Sequence, residues 1–598
     1  MRKTKLEYHY AVRKLKRQSD NLRKCRMAEA IVNNQSKDFW DEVKKVKGTC
    51  LNSPVNIGDK TNSYDIAELF ANKYDTLYNS VPSDPTRITA AQYETDKRLS
   101  NSSLLEMEVE YTDVTKAVKN IKKNKADDEG KLFSNHVLFA STSFYKCISC
   151  LFNGILVHGY TPKCLLNSTI ISIPKNKRGD LSSDDNYRGI SLCSSLFKLF
   201  ELVLLHKQDD KLKTSDMQYA YKSGHSTTVC TLVFKDVINH YLLKNSNIYC
   251  CFIDASKAFD RLRHDLLFEM LLKRNVNPFM IRILMDTYAR NTVQTSWCDQ
   301  KSSKFTCKNG VRQGGILSPI LYSIYNDELL LRLKDNAQGC WIGNHYYGAL
   351  SYADDLCIMS PTMNGLQNML DICQEYGKDY DVLFNPIKTK CMKFSKYAYE
   401  CELQSDMKLC GQILSWVKSF KYLGNWVSYD LSEETEIHNK LGAFYGGVNN
   451  LYSSFKDIDM KHISILFNSY CCHFYGSQAW RLGDKNINRI FTAWNKGVRH
   501  LCKLPCTTHT AFLPFLVNTL YVKEEIYLRS FKTITNMLKS SNESVNFLAN
   551  QSIGLYVSVI GGNWHAIHEC LTVDLDSNHT KDNLYERLEE TFTPECQL

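Results

Sequence analysis

The sequence predicts a protein in which α-helices and short β-strands are combined, of the α/β or α+β class, with more than one domain. The chain has 598 residues, whereas a single hydrophobic core rarely grows beyond roughly 250–300 residues. From about residue 137, apolar segments with helical spacing alternate with short apolar runs typical of strands. Beyond about residue 430 the pattern is mostly helical. We therefore expect a mixed central region between helical N- and C-terminal regions.

Composition excludes several classes of protein. Hydrophobic residues make up 43% and charged residues 23% of the chain, which argues against a disordered or fibrous protein. No stretch approaches the roughly 18 apolar residues that a membrane span needs, and the charged N-terminus lacks the apolar core of a secretory signal. The 23 cysteines are scattered, which favours reduced, packed thiols over disulfides. We expect a soluble intracellular protein without membrane contact.

Charge is distributed unevenly along the chain. Residues 1–26 carry ten Lys or Arg residues and two acidic residues, a net charge of +8, whereas the last thirty residues carry −6. A basic N-terminal arm suits a polyanion such as nucleic acid, because each neutralised phosphate releases counterions. A solvated helix face explains the same charge equally well, so charge alone leaves both interpretations open.

Residues 1–104 are predicted to form a basic helical region that ends in a linker. Residues 1–50 contain no proline and carry apolar residues at helical spacing. A short helix is predicted over 65–78, between a polar break at 48–62 and a proline-containing turn. The polar stretch 86–104 is interpreted as the linker.

The central region is predicted to begin with an amphipathic helix over 111–123. Its apolar residues share one face and its lysines lie on the other. At the far end, aromatic-rich segments at 441–480 and 487–501 predict further helices.

The first segment with a candidate catalytic residue is the apolar run 248–253, which Asp254 follows directly. A continuous apolar run of this length predicts a buried strand, and apolar residues at helical spacing after residue 258 predict a helix. A carboxylate at the C-terminal end of a buried strand lies where active sites of sheet proteins collect. An aspartate that merely caps the next helix explains the same pattern, so both interpretations remain open.

The second segment places two adjacent acids, Asp354 and Asp355, between two strand-like apolar runs. A tight hairpin would carry both acids at its tip. Adjacent carboxylates repel each other unless a cation neutralises them, and Mg²⁺ prefers carboxylate oxygens together with substrate phosphates. Three aspartates on neighbouring strands could hold two such ions about 3.5–4 Å apart, the arrangement used for displacement at phosphorus. An ordinary surface turn is the alternative.

Between these segments lies a glycine-rich loop at 310–319, followed by a predicted helix over 320–333. Ser318 is suited to cap that helix, and Pro319 fits its first position. Glycines let the backbone approach a ligand closely, and Gln313 offers both a donor and an acceptor. By itself the loop is weak support for a ligand site.

In this order the three segments resemble motifs A, B and C of the reverse transcriptases, particularly those of non-LTR (LINE-type) retrotransposons. They read FIDASKAFD, GVRQGGILSPIL and YADD. Four further stretches support the resemblance. Residues 173–192 are similar to the fingers motif, 384–390 to motif D and 420–424 to the primer-grip segment, and 218–227 is a further supporting stretch. The ordered motifs cover roughly residues 155–430.

The resemblance implies an α+β fold of the right-hand polymerase type, with fingers, a palm built on an antiparallel sheet and a helical thumb. Fingers and palm would occupy 105–430, and the thumb or connection 431–540. A C-terminal region with an acidic tail would occupy 541–598. The chain begins at the basic helices that follow the endonuclease in many such elements, so we expect that nuclease to be absent or truncated.

The resemblance also implies roles for the acids. Asp254 and Asp354 would bind two Mg²⁺ (or Mn²⁺) ions, and Asp355 would complete the acidic cluster. Lys388 would donate a proton to the pyrophosphate leaving group, although Lys390 lies close to it in sequence.

Five further residues would contact the incoming dNTP. Phe259 would exclude a ribose 2′-hydroxyl, and Gln313 with the backbone of Gly314 would pack around the nucleotide. Lys175 and Arg188 would hold the triphosphate, a charge-assisted task to which Arg is suited.

The implied function is RNA-directed DNA synthesis, in which a primer 3′-hydroxyl is extended with dNTPs on an RNA template. The implied partners are the RNA template and a DNA primer or target, in a cytoplasmic ribonucleoprotein and in the nucleus. One alternative is a domesticated or group II intron-type reverse transcriptase, and another is a decayed RNA-binding protein without activity. Gly189 stands where proline is usual in the family, and Asp127-Asp128-Glu129-Gly130 replaces a Gly-Pro-Asp-Gly pattern.

Two loose clusters of potential zinc ligands lie near the end of the chain. One contains His500, Cys502, Cys506 and His509, and the other lies between 565 and 570. The surroundings of the first cluster resemble the family's thumb-side pattern, and packing or chance is the better interpretation of both clusters.

Overall fold

The computed structural model describes residues 2–32, 38, 42, 56–102, 106–125, 134–177, 179–396, 406–455 and 460–570. The helix predicted over 1–50 is observed as far as residue 32, and most of its remainder lies outside the described residues. The departure at 127–130 and the tail at 571–598 also lie outside them.

Helices make up most of the two flanking regions and surround the sheets. In chain order they are α1 (Arg2–Val32), α2 (Ser63–Tyr78), α3 (Pro85–Ser100), α4 (Tyr111–Val118), α5 (Ser134–Leu138), α6 (Thr142–His158), α7 (Lys163–Leu166), α8 (Ser195–Lys207), α9 (Thr227–Leu243), α10 (Ala258–Arg261), α11 (His264–Lys273), α12 (Pro278–Ala289), α13 (Ser318–Asp335), α14 (Met363–Asp379), α15 (Glu434–Phe455), α16 (Met460–Tyr470), α17 (Asn488–Leu501), α18 (Leu513–Leu516), α19 (Val522–Leu538), α20 (Glu543–Ile553) and α21 (Val559–Cys570). Within the described ranges, no helix is both long and apolar enough to cross a bilayer.

The strands all fall in the central part of the chain. They are β1 (Ser168–Pro174), β2 (Tyr187–Cys193), β3 (Ile248–Ser256), β4 (Thr292–Trp297), β5 (Gln300–Lys301), β6 (Phe305–Thr306), β7 (Trp341–Ile342), β8 (His345–Tyr346), β9 (Ala349–Tyr352), β10 (Asp355–Ser360), β11 (Leu383–Phe384), β12 (Lys390–Phe394), β13 (Lys408–Leu409), β14 (Gln412–Ile413), β15 (Ser415–Trp416), β16 (Ser419–Tyr422) and β17 (Asn425–Ser428).

The larger sheet is antiparallel around β3. Its order is β15-β12-β3-β10-β9, and β11 pairs with the end of β3. Both β10 and β12 lie antiparallel to β3. The apolar run that predicts β3 is buried, since Cys250, Cys251, Phe252 and Ile253 are at most 4% exposed. This is the antiparallel palm sheet of the predicted α+β fold, and that prediction is confirmed.

A second sheet has the order β2-β1-β4-β5, with β6 also paired to β4. Helix α2 from the N-terminal region covers it. The ring of Phe70 in α2 lies 5.2 Å from that of Tyr187 and 5.4 Å from that of Trp297, measured between centroids. Because α2 shares a core with β1, β2 and β4, the N-terminal region is partly built into the fingers side of the molecule.

The predicted linker at 86–104 is wrong, because most of it is helix α3. The side chain of Asp84 caps this helix, and Pro85 is at its start. Arg98 Nη1 donates a hydrogen bond to Leu272 O at 2.9 Å, which joins α3 to α11. The helix is polar on most of its surface and buries only a narrow stripe, so its apolar periodicity is weak in the sequence.

Two helix boundaries also differ from prediction. The helix predicted over 111–123 ends at Val118. Ser318 is the first residue of α13 rather than its cap, since Leu317 is at the cap position and makes no side-chain capping bond. Element ends of this kind depend on local hydrogen bonds that composition does not reveal.

The region beyond 430 is helical, as predicted, and helix α9 of the palm joins it to the sheet. Lys235 Nζ donates to Glu433 Oε1 at 2.7 Å in a buried ion pair. The buried Asp236 accepts from Val559 N at 2.7 Å, at the start of α21; burial raises the pKa of its carboxyl to about 6. The thumb and C-terminal helices are therefore anchored to one palm helix.

Candidate active site

Three aspartates meet at one end of the larger sheet. Asp254 in β3 lies directly opposite Asp355, the first residue of β10, in the antiparallel register. Asp354 lies in the two-residue turn between β9 and β10, next to Ala353. The structure thus contains the hairpin that the sequence predicts and brings both of its acids beside Asp254.

The proximity of the three acids affects their protonation. Partial burial, together with the charges of Asp354 and Asp254, raises the pKa of Asp355 to about 6. Burial also raises the pKa of Asp354, with a contribution from Asp254, while a backbone hydrogen bond and Arg188 act in the opposite direction. A cation held among the three carboxylates would relieve this repulsion.

The donor set is suited to Mg²⁺ shared with a substrate. Mg²⁺ typically takes one or two protein carboxylates and completes its octahedron with water and substrate phosphates. In the part of the chain that the structure describes, no group of three or more His, Cys, Asp and Glu side chains forms a complete metal site by itself. A metal ion beside the aspartates would therefore need further oxygen ligands, such as those of water or a substrate phosphate.

The two loose clusters near the end of the chain form no such group among the described residues either. His500 packs against the ring of Tyr452 at 4.3 Å between centroids. His509 Nδ1 accepts from Ala511 N at 3.3 Å, and the ring of His565 stacks on Tyr556 at 3.5 Å. Each of these histidines thus has a ring or backbone partner, and His500 and His509 are exposed.

Lys388 lies in the loop between β11 and β12, with its Nζ 3.6 Å from Asp254 Oδ2. The loop is fastened to β3, because Asn385 N donates to Asp254 O at 2.9 Å and Asp254 N donates to Thr389 Oγ1 at 3.3 Å. The nearby Lys390 instead donates to Ile387 O at 2.7 Å. Of the two lysines, Lys388 is therefore the one that contacts the acids.

The glycine-rich loop docks on strand β2. Ser191 N donates to Gln313 O at 2.7 Å. Gly314 has φ +136°, and a Cβ there would collide with Ser191 O, so a side chain at this position would separate loop and strand. Gln313 Nε2 donates to Asp260 Oδ1 at 2.6 Å; burial raises the pKa of Asp260 to about 6 even though this hydrogen bond opposes the shift. Asp260 therefore orients the Gln313 amide, a role that the sequence does not suggest.

Phe259 lies in α10, five residues after Asp254, and is partly buried. Its ring stacks on that of Tyr322 in α13, with centroids 4.3 Å apart and an interplanar angle of 25°. The stack fixes the direction of the Phe259 ring, which a side chain that discriminates between sugars requires.

Five cations near the acids form what we call the cationic rim, namely Lys73, Lys175, Arg188, Lys257 and Lys388. Lys388 contacts Asp254, and the charge of Arg188 acts on Asp354. The pKa of Lys175 is lowered by partial burial first and then by the charges of Lys73, Arg188 and Lys388, which places these groups close together. Arg188 and Lys257 also act on the carboxyl of Asp260. The rim combines residues of α2 and β2 with residues that follow β1, β3 and β11.

Two members of the rim were not singled out by the sequence. Lys73 comes from α2, where its Nζ lies 2.9 Å from Asp184 Oδ2 and 3.0 Å from Asp185 Oδ1. Lys257 lies three residues after Asp254 with φ +54°. Lys73 belongs to no motif, so only its position in space could reveal it, whereas the proximity of Lys257 to Asp254 was a usable signal.

Comparison with known proteins defines the class of this site. Residues 173–427 match the family model described as reverse transcriptase (RNA-dependent DNA polymerase). The matched range contains the three aspartates, the glycine-rich loop and four of the five rim cations. Residues 173–427 are therefore a reverse transcriptase domain.

Three curated relatives are proteins of mobile or transposable elements. The RNA-directed DNA polymerase from mobile element jockey of Drosophila melanogaster is 25% identical over 74% of this chain and 49% of its own length. The Pol polyprotein from type-1 retrotransposable element R2 of Nasonia vitripennis is 28% identical over 43% of this chain and 24% of its own. The probable RNA-directed DNA polymerase from transposon BS of Drosophila melanogaster is 24% identical over 78% of this chain and 52% of its own length. The chain thus spans about half or less of the length of these relatives.

Among solved structures, a match to the apo telomerase from Candida tropicalis covers 75% of this chain and 74% of the telomerase chain. The sequence identity is 14% and the TM-score is 0.37.

Proposed function

We propose that this protein is an RNA-directed DNA polymerase of a LINE-like retrotransposon, which extends a primer 3′-hydroxyl on an RNA template. The observation that carries the proposal is the arrangement of charge at one sheet end. Asp254 lies opposite Asp355, Asp354 lies in the adjoining turn, Lys388 contacts Asp254, and the charge of Arg188 acts on Asp354. This arrangement suits the attack of a hydroxyl on a nucleoside triphosphate. The acids would hold the metal ions and the cations would bind the phosphates.

Asp254, Asp354 and Asp355 would hold two Mg²⁺ or Mn²⁺ ions. Bound together, such ions stabilise the attacking and leaving oxygens of an in-line displacement at phosphorus. The three carboxylates supply oxygen ligands, and their mutual repulsion gives the free energy that favours cation binding. Their attachment to paired strands fixes the spacing of the ligands before substrate arrives.

The chain's other groups would bind and orient the dNTP. Lys175 and Arg188, supported by Lys73 and Lys257, would bind the triphosphate through charge-assisted hydrogen bonds. Gln313, oriented by Asp260, would present its amide to the nucleotide, and the tightly docked backbone of Gly314 would form part of the same wall. The stacked ring of Phe259 would occupy the space of a ribose 2′-hydroxyl.

Lys388 would act late in the reaction. Its ammonium lies at the acids, 66% exposed, and a change of side-chain rotamer would bring it to the departing pyrophosphate. There it would donate a proton as general acid, and the amine would be re-protonated from solvent.

The partners follow from the reaction. They are an RNA template, a DNA primer or target and dNTPs, within a ribonucleoprotein in the cytoplasm and the nucleus. We propose fingers and palm over 105–430, thumb over 431–540 and a C-terminal region over 541–598. The basic helix α1 would contact a phosphate backbone.

The test is primer extension on a primed homopolymer RNA template by the purified full chain. Extension should require Mg²⁺ or Mn²⁺, and Asp254→Asn or Asp354→Asn should lower the rate by at least about 10³-fold, because each removes a ligand charge used in the transition state. Asp209→Asn is the matched control, since Asp209 is exposed on the helix-to-loop segment after α8; it should extend like the wild type.

Two results would contradict the proposal. Undiminished extension by both acid variants would remove the aspartates from the mechanism. A folded wild type that binds RNA but never extends a primer, with either metal, would favour the decayed RNA-binding alternative.

A further inference from the structure

The turn that carries Asp354 has a backbone conformation that needs support. Ala353 has φ +59°, in the left-handed region that residues other than glycine rarely adopt. It is 5% exposed, so water contributes little to its hydrogen bonding. A buried alanine in this conformation persists only where its surroundings hold it.

Gln218 provides one side of that support. It lies between α8 and α9 and is fully buried. Its Oε1 accepts from Ala353 N at 3.1 Å and from Ala220 N at 3.0 Å. Its Nε2 donates to Ser351 Oγ at 3.1 Å. All of these partners lie within or beside the acid-bearing hairpin, or in the segment of Gln218 itself.

The carbonyl of Ala353 is held from the other side. Ser351 Oγ donates to Ala353 O at 3.2 Å, and Asn326 Nδ2 in α13 lies 3.4 Å from the same oxygen. Asn326 Nδ2 also donates to Ser351 Oγ at 3.1 Å. Both polar groups of the Ala353 backbone are thus bound by buried side chains.

The backbone around Gln218 is tied to the same strand. Tyr219 N donates to Ser351 O at 2.8 Å, and Ser351 N donates to Met217 O at 2.9 Å. This bridge fixes the distance between the Gln218 backbone and β9. A shift of the 217–220 segment would therefore move the turn with it.

We propose that Gln218 is a positioning residue for nucleotidyl transfer, which holds the Ala353 turn so that Asp354 and Asp355 keep their mutual geometry. The inference rests on the proposed function and extends it to a residue that is buried and reaches no substrate. Its effect passes through one hydrogen bond to Ala353 N in the turn and one to Ser351 Oγ, which itself donates to Ala353 O. Misplacement of a reacting group by about 1 Å can cost on the order of 100-fold in rate.

The test compares Gln218→Met with the wild type in the full chain. Methionine has a similar length and volume but can replace neither the hydrogen bond to Ala353 N nor the one to Ser351 Oγ. We expect kcat to fall about 10- to 100-fold, while KM for dNTP changes less than about 3-fold, because the cationic rim is untouched. Amide exchange of the 349–356 segment, measured without substrate, should accelerate.

A second substitution separates positioning from general stability. Glycine adopts φ +59° without a steric penalty, so Ala353→Gly should restore part of the rate lost by Gln218→Met. If Gln218→Met fails to fold, Ser351→Ala removes one hydroxyl from the same network and should accelerate exchange of 349–356 with a smaller loss of kcat.

Gln208→Met is the matched control. Gln208 is also buried, and its Oε1 accepts from Asn277 N at 2.9 Å at the start of α12. This variant should match Gln218→Met in thermal destabilisation and leave kcat and the exchange of 349–356 unchanged.

Unchanged exchange of 349–356 in Gln218→Met would overturn the inference. An equal loss of kcat in both glutamine variants would also overturn it, since general destabilisation would then explain the effect. A wild type without polymerase activity would refute the proposed function alone, because the exchange measurement needs no activity.

Discussion

The acid-bearing hairpin and the cationic rim face the same site but are built in different ways. The hairpin is part of the central sheet, and its turn is held by the buried Gln218. The rim consists mainly of long side chains, of which Lys175, Arg188 and Lys257 are exposed. The carboxylates are fixed to the backbone through one methylene, whereas the cations have several rotatable bonds.

This difference indicates how each side serves the reaction. Ligands of a metal require a spacing accurate to a few tenths of an ångström, which a paired sheet provides. A triphosphate changes position as the reaction proceeds, and mobile cations can follow it. We expect changes in the acid-bearing hairpin to act on kcat. Changes in the rim should act on KM, except at Lys388, whose proposed proton donation would also affect kcat.

Among the variants that test this difference between hairpin and rim, Arg188→Ala is expected to have the largest effect. Arg188 is the rim residue whose charge acts on both Asp260 and Asp354. Loss of its charge-assisted hydrogen bonds should raise KM for dNTP about 10- to 100-fold with a smaller change in kcat. Steady-state primer extension with varied dNTP measures both constants.

Arg87→Ala is the control for that measurement, since Arg87 is a partly exposed arginine of α3 paired with Glu269. It should leave both constants unchanged. A fall in kcat of Arg188→Ala at constant KM would break the contrast between the two regions.

A smaller effect is expected for Phe259→Ala, in the short helix α10 that follows Lys257. Removal of the ring that stacks on Tyr322 should open space for a 2′-hydroxyl and lower the preference for dNTP over rNTP about 10-fold or more, the range available to a steric site. Competition between dATP and ATP on a poly(U) template measures the ratio. If the ratio is unchanged, Phe259 is only a core aromatic.

The smallest effect concerns the free energy of unfolding and is expected for a substitution in the acid-bearing hairpin. The pKa of Asp355 is raised in the folded state to about 6, so folding favours its protonated form, and the corresponding stability is lost as pH rises through 6. Asp355→Asn should therefore be more stable than the wild type at pH 8 without divalent cations. Because the side chain retains contact with water, we expect only about 1 kcal/mol.

Urea unfolding at pH 8 and at pH 4 measures this difference. The advantage of Asp355→Asn should shrink at the lower pH, where the wild-type carboxyl is protonated as well. An equal or lower stability of the variant at pH 8 would show that the acids do not repel each other in the folded protein.

Several features of the site could be predicted because their signals are local. The apolar run before Asp254 predicts a buried strand, since burial on both faces requires continuous hydrophobicity. The apolar runs on either side of Asp354 predict a hairpin for the same reason. Helix α3 was missed because a surface helix that buries a narrow stripe leaves only weak periodicity.

By itself, the sequence determined which groups are available and their order along the chain: three acids after or between buried strands, a glycine-rich loop and scattered cations. Folding alone brings Asp254 opposite Asp355, places Lys73 near Lys175 and lets Gln218 hold Ala353. The physical reason is that strand propensity and burial depend on neighbours in sequence, whereas hydrogen bonds and charge interactions depend on distance in space. Gln218 and Ala353 are separated by 135 residues, and no local pattern records that contact.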